Sequence, residues 1–137
     1  MSLNNLIVKD CMIGLESSPV VKSQQILKEA IHQMEIHKLG IVNVIDENNK
    51  LIGVITDGDL RRTILREQKP LAALLVDDVD KYTKKNPLSI FDKELLINSI
   101  NLMNDNKIWD LPVIDEQNNL VGLLHLHTAL KKYLNLK

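Results

Sequence analysis

The ten residues from Val44 to Gly53, VIDENNKLIG, return 69 positions later as VIDEQNNLVG, Val113 to Gly122, with seven identities. A chain of 137 residues that carries one unit twice has little freedom in what it folds into. Both halves must adopt the same local structure. Each is too small to hide its own apolar face well, so the repeat predicts two similar modules and directs attention to a groove between them.

The register extends beyond that stretch. Ile26, Leu27, Ile31 and Met34 map onto Leu95, Leu96, Ile100 and Met103, and this spacing falls on one stripe of an α-helix. Ser23 and Asp92, equivalent residues just ahead of each stripe, are expected N-caps, because a side-chain oxygen there accepts from the first free amides. Ile41 to Ile45 and Leu111 to Ile114 read as strands. Each is followed by a polar turn and then by a second strand, Leu51 to Thr56 and Leu120 to His125, giving two hairpins with loops of about four to five residues. A shorter helix is expected after each hairpin, from about Asp59 to Arg66 and from about Thr128 to Leu134. A short strand is expected first, around Val20 and Val21 or Leu88 to Ile90. The fold class is therefore α+β, a β-α-β-β-α unit written twice, over residues 8–68 and 72–135. Glu67 to Leu75 is the connector, with Pro70 ending one helix and separating the units.

Composition removes several classes of function. A net charge of −1, with 45% hydrophobic and 26% charged residues, gives no footprint for nucleic acid or for an anionic membrane. No apolar run approaches the length of a membrane span, the N-terminus lacks a leader-like pattern, and the single Cys11 rules out an intramolecular disulfide, so the expected compartment is the cytosol. With only four aromatic residues, the core must be built from Leu, Ile and Val, and Trp109 becomes conspicuous.

The chemistry is expected where the last strand of each unit meets the following helix, because a helix N-terminus presents unpaired amides and a positive dipole end to an anion. In the first unit the junction reads Thr56-Asp57-Gly58-Asp59-Leu60-Arg61-Arg62. Thr56 offers a hydroxyl, Gly58 lets a backbone approach, Asp59 can accept two ribose hydroxyls, and the arginines can reach phosphate or carboxylate. The plainer reading makes Asp59 a helix cap and Arg61 and Arg62 solvated surface.

Two units, each with an apolar strand pair followed by Gly-h-h-Thr/Ser-x-x-Asp/Asn, resemble the cystathionine-β-synthase (CBS) domain pair over essentially the whole chain. The resemblance implies units related by a pseudo-twofold axis, sheets packed together with helices outside, and adenosine-type ligands in the clefts between units. It assigns Thr56 to phosphate or ribose and Asp59 to the ribose hydroxyls. It also makes Ser18, Pro19 and Val20, with Leu39, Gly40, Ile41 and Val42, walls that hold the base. ITDGDLRR at Ile55 to Arg62, together with LLHLHTALKKYL at Leu123 to Leu134, is similar to the C-terminal CBS pair of bacterial arabinose-5-phosphate isomerases, which make the precursor of the lipopolysaccharide sugar Kdo. That likeness implies a piece of a longer chain whose catalytic sugar-isomerase (SIS) domain lies on the N-terminal side. It also implies a small-molecule effector, AMP or ATP or, by the logic of feedback, CMP-Kdo, and no required cofactor. TDGDLRR occurs as well in CBS pairs attached to sugar nucleotidyltransferases. CBS pairs commonly dimerise, so a homodimer is expected, and a purely assembling module is the alternative to a sensing one.

The second unit departs from the pattern. His125 and Thr128 stand where the first has Thr56 and Asp59, so a ribose-binding carboxylate is missing. A nucleotide is expected in the first site; the second is expected to be empty or to offer His125, His127 and Thr128 to a ligand of another shape. His125 and His127, two apart on a strand, would share a face and could share a metal, but a third ligand is missing and they read better as hydrogen-bond donors. Trp109, ahead of Leu111 and Pro112, could stack on a base, cover the core or pair with another chain. Asp46 to Lys50 and Asp115 to Asn119 lack the glycine and glutamate of a calcium loop and are hairpin turns. Neither a catalytic base near the serines nor a phosphate loop accompanies these features, so no enzymatic activity is expected of these residues themselves.

Overall fold

The repeated decapeptide folds as it does because three of its residues have separate tasks. Asp46 turns its carboxylate back onto the amides of Asn48 and Lys50, at 2.8 and 2.9 Å, and Asp115 does the same for Gln117 and Asn119, both at 2.9 Å. Asn49 and Asn118 take the left-handed conformation that closes the turn, with φ of 65° and 66°. Gly53 and Gly122 then admit another strand at close range: a Cβ on Gly53 would lie 2.2 Å from the Lys84 carbonyl oxygen, and one on Gly122 2.6 Å from that of Ile13. The computed structural model describes residues 5–135.

Those close-packed strands define the architecture. The residues divide into a continuous unit, Ser18–Pro87, and a split unit made from the residues up to Ser17 and those from Leu88 onward. In the continuous unit β2 (Val20–Lys22), β3 (Ile41–Ile45), β4 (Leu51–Thr56) and β5 (Lys84–Lys85) form a sheet in that order, with β2 parallel to β3 and the rest antiparallel. In the split unit the order is β1 (Ile13–Gly14), β8 (Leu120–His125), β7 (Asp110–Ile114) and β6 (Ile90–Phe91). The segment ahead of the first copy of the repeat thus completes the sheet of the second copy, and the segment after the first copy's helix returns to complete the first. Leu27 N–H donates to the Asp77 carbonyl and Leu96 N–H to the Leu6 carbonyl, at 2.9 and 2.8 Å, so the returning segments also occupy the helix starts.

Those two bonds correct the expected caps. Helix α1 (Leu27–His37) starts from Ile26 and α4 (Leu96–Asn106) from Leu95, neither with a side-chain cap. Ser23 and Asp92 instead give their backbone amides to Ile45 and Ile114. A carbonyl from a neighbouring segment satisfies the leading amide, so apolar residues are tolerated at the caps. The connector is corrected too: α2 (Asp57–Glu67) ends at a left-handed Gln68, and Pro70 opens the short helix α3 (Leu71–Leu75) rather than closing a helix. Both post-hairpin helices start earlier than expected, since α5 covers Leu126–Tyr133.

Each unit buries its own core. Val21, Leu27, Ala30, Met34, Val42, Val44 and Ile55 pack with Leu74 and Val79 in one. Val8, Leu96, Met103, Leu111, Val113, Leu124 and Ala129 do so in the other. Val8 and Val79, one from each returning segment, are fully buried, which anchors these segments by the hydrophobic effect. Five α-helices and two mixed sheets are present among the described residues, an α+β fold. None of the helices is long and apolar enough to cross a membrane.

Candidate functional site

Strand alternation sorts the candidate residues before any ligand is considered. In the continuous unit Val21, Val42, Val44 and Ile55 face the helices, so Val20, Ile41, Asn43, Val54 and Thr56 share the opposite face. Val42 is therefore a core residue with no exposed surface. Ser18 and Pro19 are buried, Val20 and Leu39 are half-buried, and Gly40 is exposed. Pro19 accepts the Asn43 amide at 3.0 Å, which joins the Ser18 to Val20 wall to β3.

Where β4 ends, Thr56 becomes the N-cap of α2. Its hydroxyl accepts from Asp59 N–H and the Asp59 carboxylate accepts from Thr56 N–H, each at 3.1 Å, a reciprocal capping box. The second carboxylate oxygen of Asp59 accepts from Arg62 at 2.8 Å. The capping role weighed from sequence is thus what the Asp59 side chain performs here, with only 24% of it exposed. Burial is the strongest single influence and opposes ionisation, but the guanidinium of Arg62 with the amide and hydroxyl of Thr56 outweighs it and holds the carboxyl below its usual range. Asp59 is an anion with spare lone pairs at the mouth of a helix. Asp57 N–H donates to the Gly40 carbonyl at 2.9 Å, and its carboxylate lies so near Gly40 that a Cβ there would sit 2.7 Å from Oδ2. Arg61 is exposed.

A depressed pKa fixes a direction with pH. The stability contributed by the Asp59 cap is complete above the ordinary carboxylate value of about 4 and is lost as pH falls through the lower folded-state value. Urea melts of the wild type and Asp59→Asn are expected to differ most near neutrality and to converge as the pH is lowered below about 4. A gap that widens on acidification would contradict the assignment.

The split unit builds the equivalent junction from other groups. Leu126 N–H donates to the Trp109 carbonyl at 2.7 Å, the counterpart of the Asp57 to Gly40 bond, so the backbone is retained while the side chains change. His125 stands at the N-cap of α5 without capping it, and its Nδ1 lies 2.8 Å from Asp110 Oδ1. Asp110 and His125 face each other across the hairpin, a pair readable from the strand register but overlooked in the sequence. His127 is an exposed residue of the first turn of α5, not a strand neighbour of His125, so the shared face that suggested a metal does not exist. No group of three His, Cys, Asp or Glu able to hold a metal occurs among the described residues. Thr128, half-buried, stands in the place of Asp59 with no carboxylate. Leu111 is a core residue, Pro112 is buried, and Trp109 is 69% exposed.

The family model described as the CBS domain matches residues 8–66 and 76–135. The chain belongs to the CBS domain family. Among solved structures, this CBS pair is similar to CBSX2 in complex with AMP, with 27% identity and a TM-score of 0.82 over 95% of this chain and 97% of that one. The CBS-pair protein CBSX2 from Arabidopsis thaliana is similar at 26% identity, a TM-score of 0.82 and 96% coverage of both chains. Among curated relatives, arabinose 5-phosphate isomerase KdsD of Pseudomonas aeruginosa is 34% identical over 129 residues, 90% of this chain and 37% of the relative. KdsD of Francisella tularensis is 33% identical over 82% of this chain and 33% of its own length. An uncharacterised protein of Helicobacter pylori is 30% identical over 90% of this chain and 36% of its own. The CBS pair spans about a third of the length of these relatives.

Proposed function

We propose that this CBS pair is the ligand-sensing regulatory part of an arabinose 5-phosphate isomerase-like enzyme, and that it binds a nucleotide or nucleotide-sugar at the β4–α2 junction. The observation that carries the reading is the ionised, partly exposed Asp59 carboxylate, set beside the Thr56 hydroxyl at the start of a helix. A carboxylate with free lone pairs accepts a vicinal diol, and a helix N-terminus with Arg61 and Arg62 close by favours a phosphate. A ribose 5′-phosphate has both groups, and AMP and CMP-Kdo share that moiety. The AMP complex of CBSX2 and the similarity to KdsD support the two candidates respectively. Catalysis would belong to an SIS domain outside these residues.

The test is a thermal-shift titration of the wild type and Asp59→Ala with AMP, ATP, CMP and CMP-Kdo. A binder at 100 times its Kd stabilises by about 2.7 kcal/mol, so a clear rise in melting temperature is expected for the wild type and none for Asp59→Ala. CMP-Kdo is expected to give the larger rise, and a preference for AMP would favour an adenine nucleotide as effector. A flat response to all four at millimolar concentration would leave an assembly module, a reading supported by the exposed apolar Ile64, Leu65 and Leu71 on α2 and α3.

A further inference from the structure

The β4–α2 junction contains a competitor for its own proposed ligand. Arg62 Nη2 donates to Asp59 Oδ1 at 2.8 Å, while Asp59 Oδ2 is held by Thr56 N–H. The guanidinium folds back along the first turn of α2, close enough that a Cβ on Gly58 would lie 3.3 Å from both Nη atoms. Both oxygens of the carboxylate thus have donors already, one of them charged. Resting on the nucleotide reading, we propose that Arg62 is the specificity-determining residue of the site: it occupies Asp59 when the site is empty and transfers to the ligand's phosphate when the ribose diol takes its place.

Three observations support the exchange. A charge-assisted hydrogen bond is roughly twice as strong as one from a neutral hydroxyl, so an uncharged nucleoside must displace a better donor than it brings. A phosphate removes that penalty by giving the displaced guanidinium an anion in turn. Arg62 is free to make the move: its side chain is 61% exposed and, among the described residues, its hydrogen bond and ion pair run to Asp59 alone, whereas Asp59 is fixed by the capping box. The split unit agrees by contrast, since Lys131 stands in the place of Arg62 and Thr128 in that of Asp59, and neither the lock nor its carboxylate is present there. The site would therefore discriminate nucleotide from nucleoside through one residue, with no need for the phosphate to be enclosed.

Calorimetric titration of AMP and adenosine into the wild type, Arg62→Gln, Arg62→Lys and Asp59→Ala tests this. The wild type is expected to prefer AMP. In Arg62→Gln that preference is expected to shrink by about tenfold, with AMP weakened and adenosine unchanged or tightened, the size of one lost charged hydrogen bond. Arg62→Lys, which keeps the charge without the planar fork, is expected to fall between the two. An unchanged AMP to adenosine ratio in Arg62→Gln, or an equal loss for both ligands, would overturn the exchange while leaving the nucleotide reading intact. Failure of the wild type to bind either ligand would overturn both, and binding that survives Asp59→Ala would remove the carboxylate on which both depend. Melting of each variant without ligand checks that the substitutions leave the fold in place.

Discussion

Gly53→Ala is expected to destabilise the protein by about 3 kcal/mol, the upper part of the range for forcing extra volume into a packed site. The added Cβ would fall 2.2 Å from the Lys84 carbonyl oxygen, 2.9 Å from its carbonyl carbon and 2.6 Å from Thr83 Cγ2. Two of these atoms belong to backbone and cannot rotate aside, so β5 must leave its position beside β4 and surrender the pairings of Gly53 with Lys85 and of Val54 with Lys84. The loss reaches further than two ladder bonds, because the same returning segment supplies the Asp77 carbonyl at the start of α1 and the buried Val79. Urea unfolding with amide exchange at Lys84 and Lys85 checks this: a lower midpoint and faster exchange there are expected. Stability within about 0.5 kcal/mol of wild type would mean that the close approach is not structural. Gly122→Ala should cost less, because one of its two nearest neighbours is the adaptable Met12 thioether.

Asn43→Val is expected to act in the opposite direction and raise stability by about 1 to 3 kcal/mol. Asn43 is fully buried at the centre of the sheet, and neither its carboxamide oxygen nor its nitrogen has a hydrogen-bond partner among the described residues. A buried polar group without a partner loses its bonds to water and gains nothing in exchange. Its backbone amide is bonded to Pro19, and that bond is independent of the side chain. Valine keeps the volume close, suits a strand, and places a β-branched side chain beside Val20 and Val54, the residues opposite in register. The other copy of the repeat makes the same point with Pro112, which has no polar side chain in the equivalent position. The melting temperature is expected to rise by several degrees. A fall of similar size would show that the amide is satisfied after all, by an ordered water, and would reverse the argument.

The repeat made the hairpins and the long helices legible, because their signals are local: an Asp that collects turn amides, an Asn in the left-handed region, and an apolar stripe at helical spacing. The helix starts were misread for a physical reason. Ser23 and Asp92 are good caps by composition, but carbonyls of Asp77 and Leu6 meet the leading amides of α1 and α4 and leave the caps to Ile26 and Leu95. The exchange of segments was hidden for a related reason. Val8 answers to Val79 and Ile13 to Lys84, two positions out of step with the 69-residue repeat and with no identity beyond that valine, since VKDCMIG faces VDKYTKK. Only Gly53 and Gly122, the paired glycines inside the second hairpin strands, carried a trace, since a strand glycine marks the close approach of another backbone. At the candidate site Thr56 and Asp59 were legible as a pair. Capping stood as one of two readings of Asp59 and could not be separated from ligand binding, because a capping box and a ligand site use the same residue types at the same spacing, and the bond to Arg62 was not read at all.

The crossing of segments also dictates an order of assembly. All that the continuous unit needs lies between Ser18 and Pro87, and its most distant ladder pairing joins Gly53 to Lys85. The split unit instead joins Ile13 to Leu123, so the stretch around Ile13 is synthesised before the continuous unit and meets its strand partner only after it. Closing the longer loop adds only modestly to the entropy, which grows with the logarithm of length, but none of it is repaid until β8 exists. Synthesis therefore completes the continuous unit before the two parts of the split unit can join, and the Ile13–Gly14 edge waits unpaired until β8 has been made.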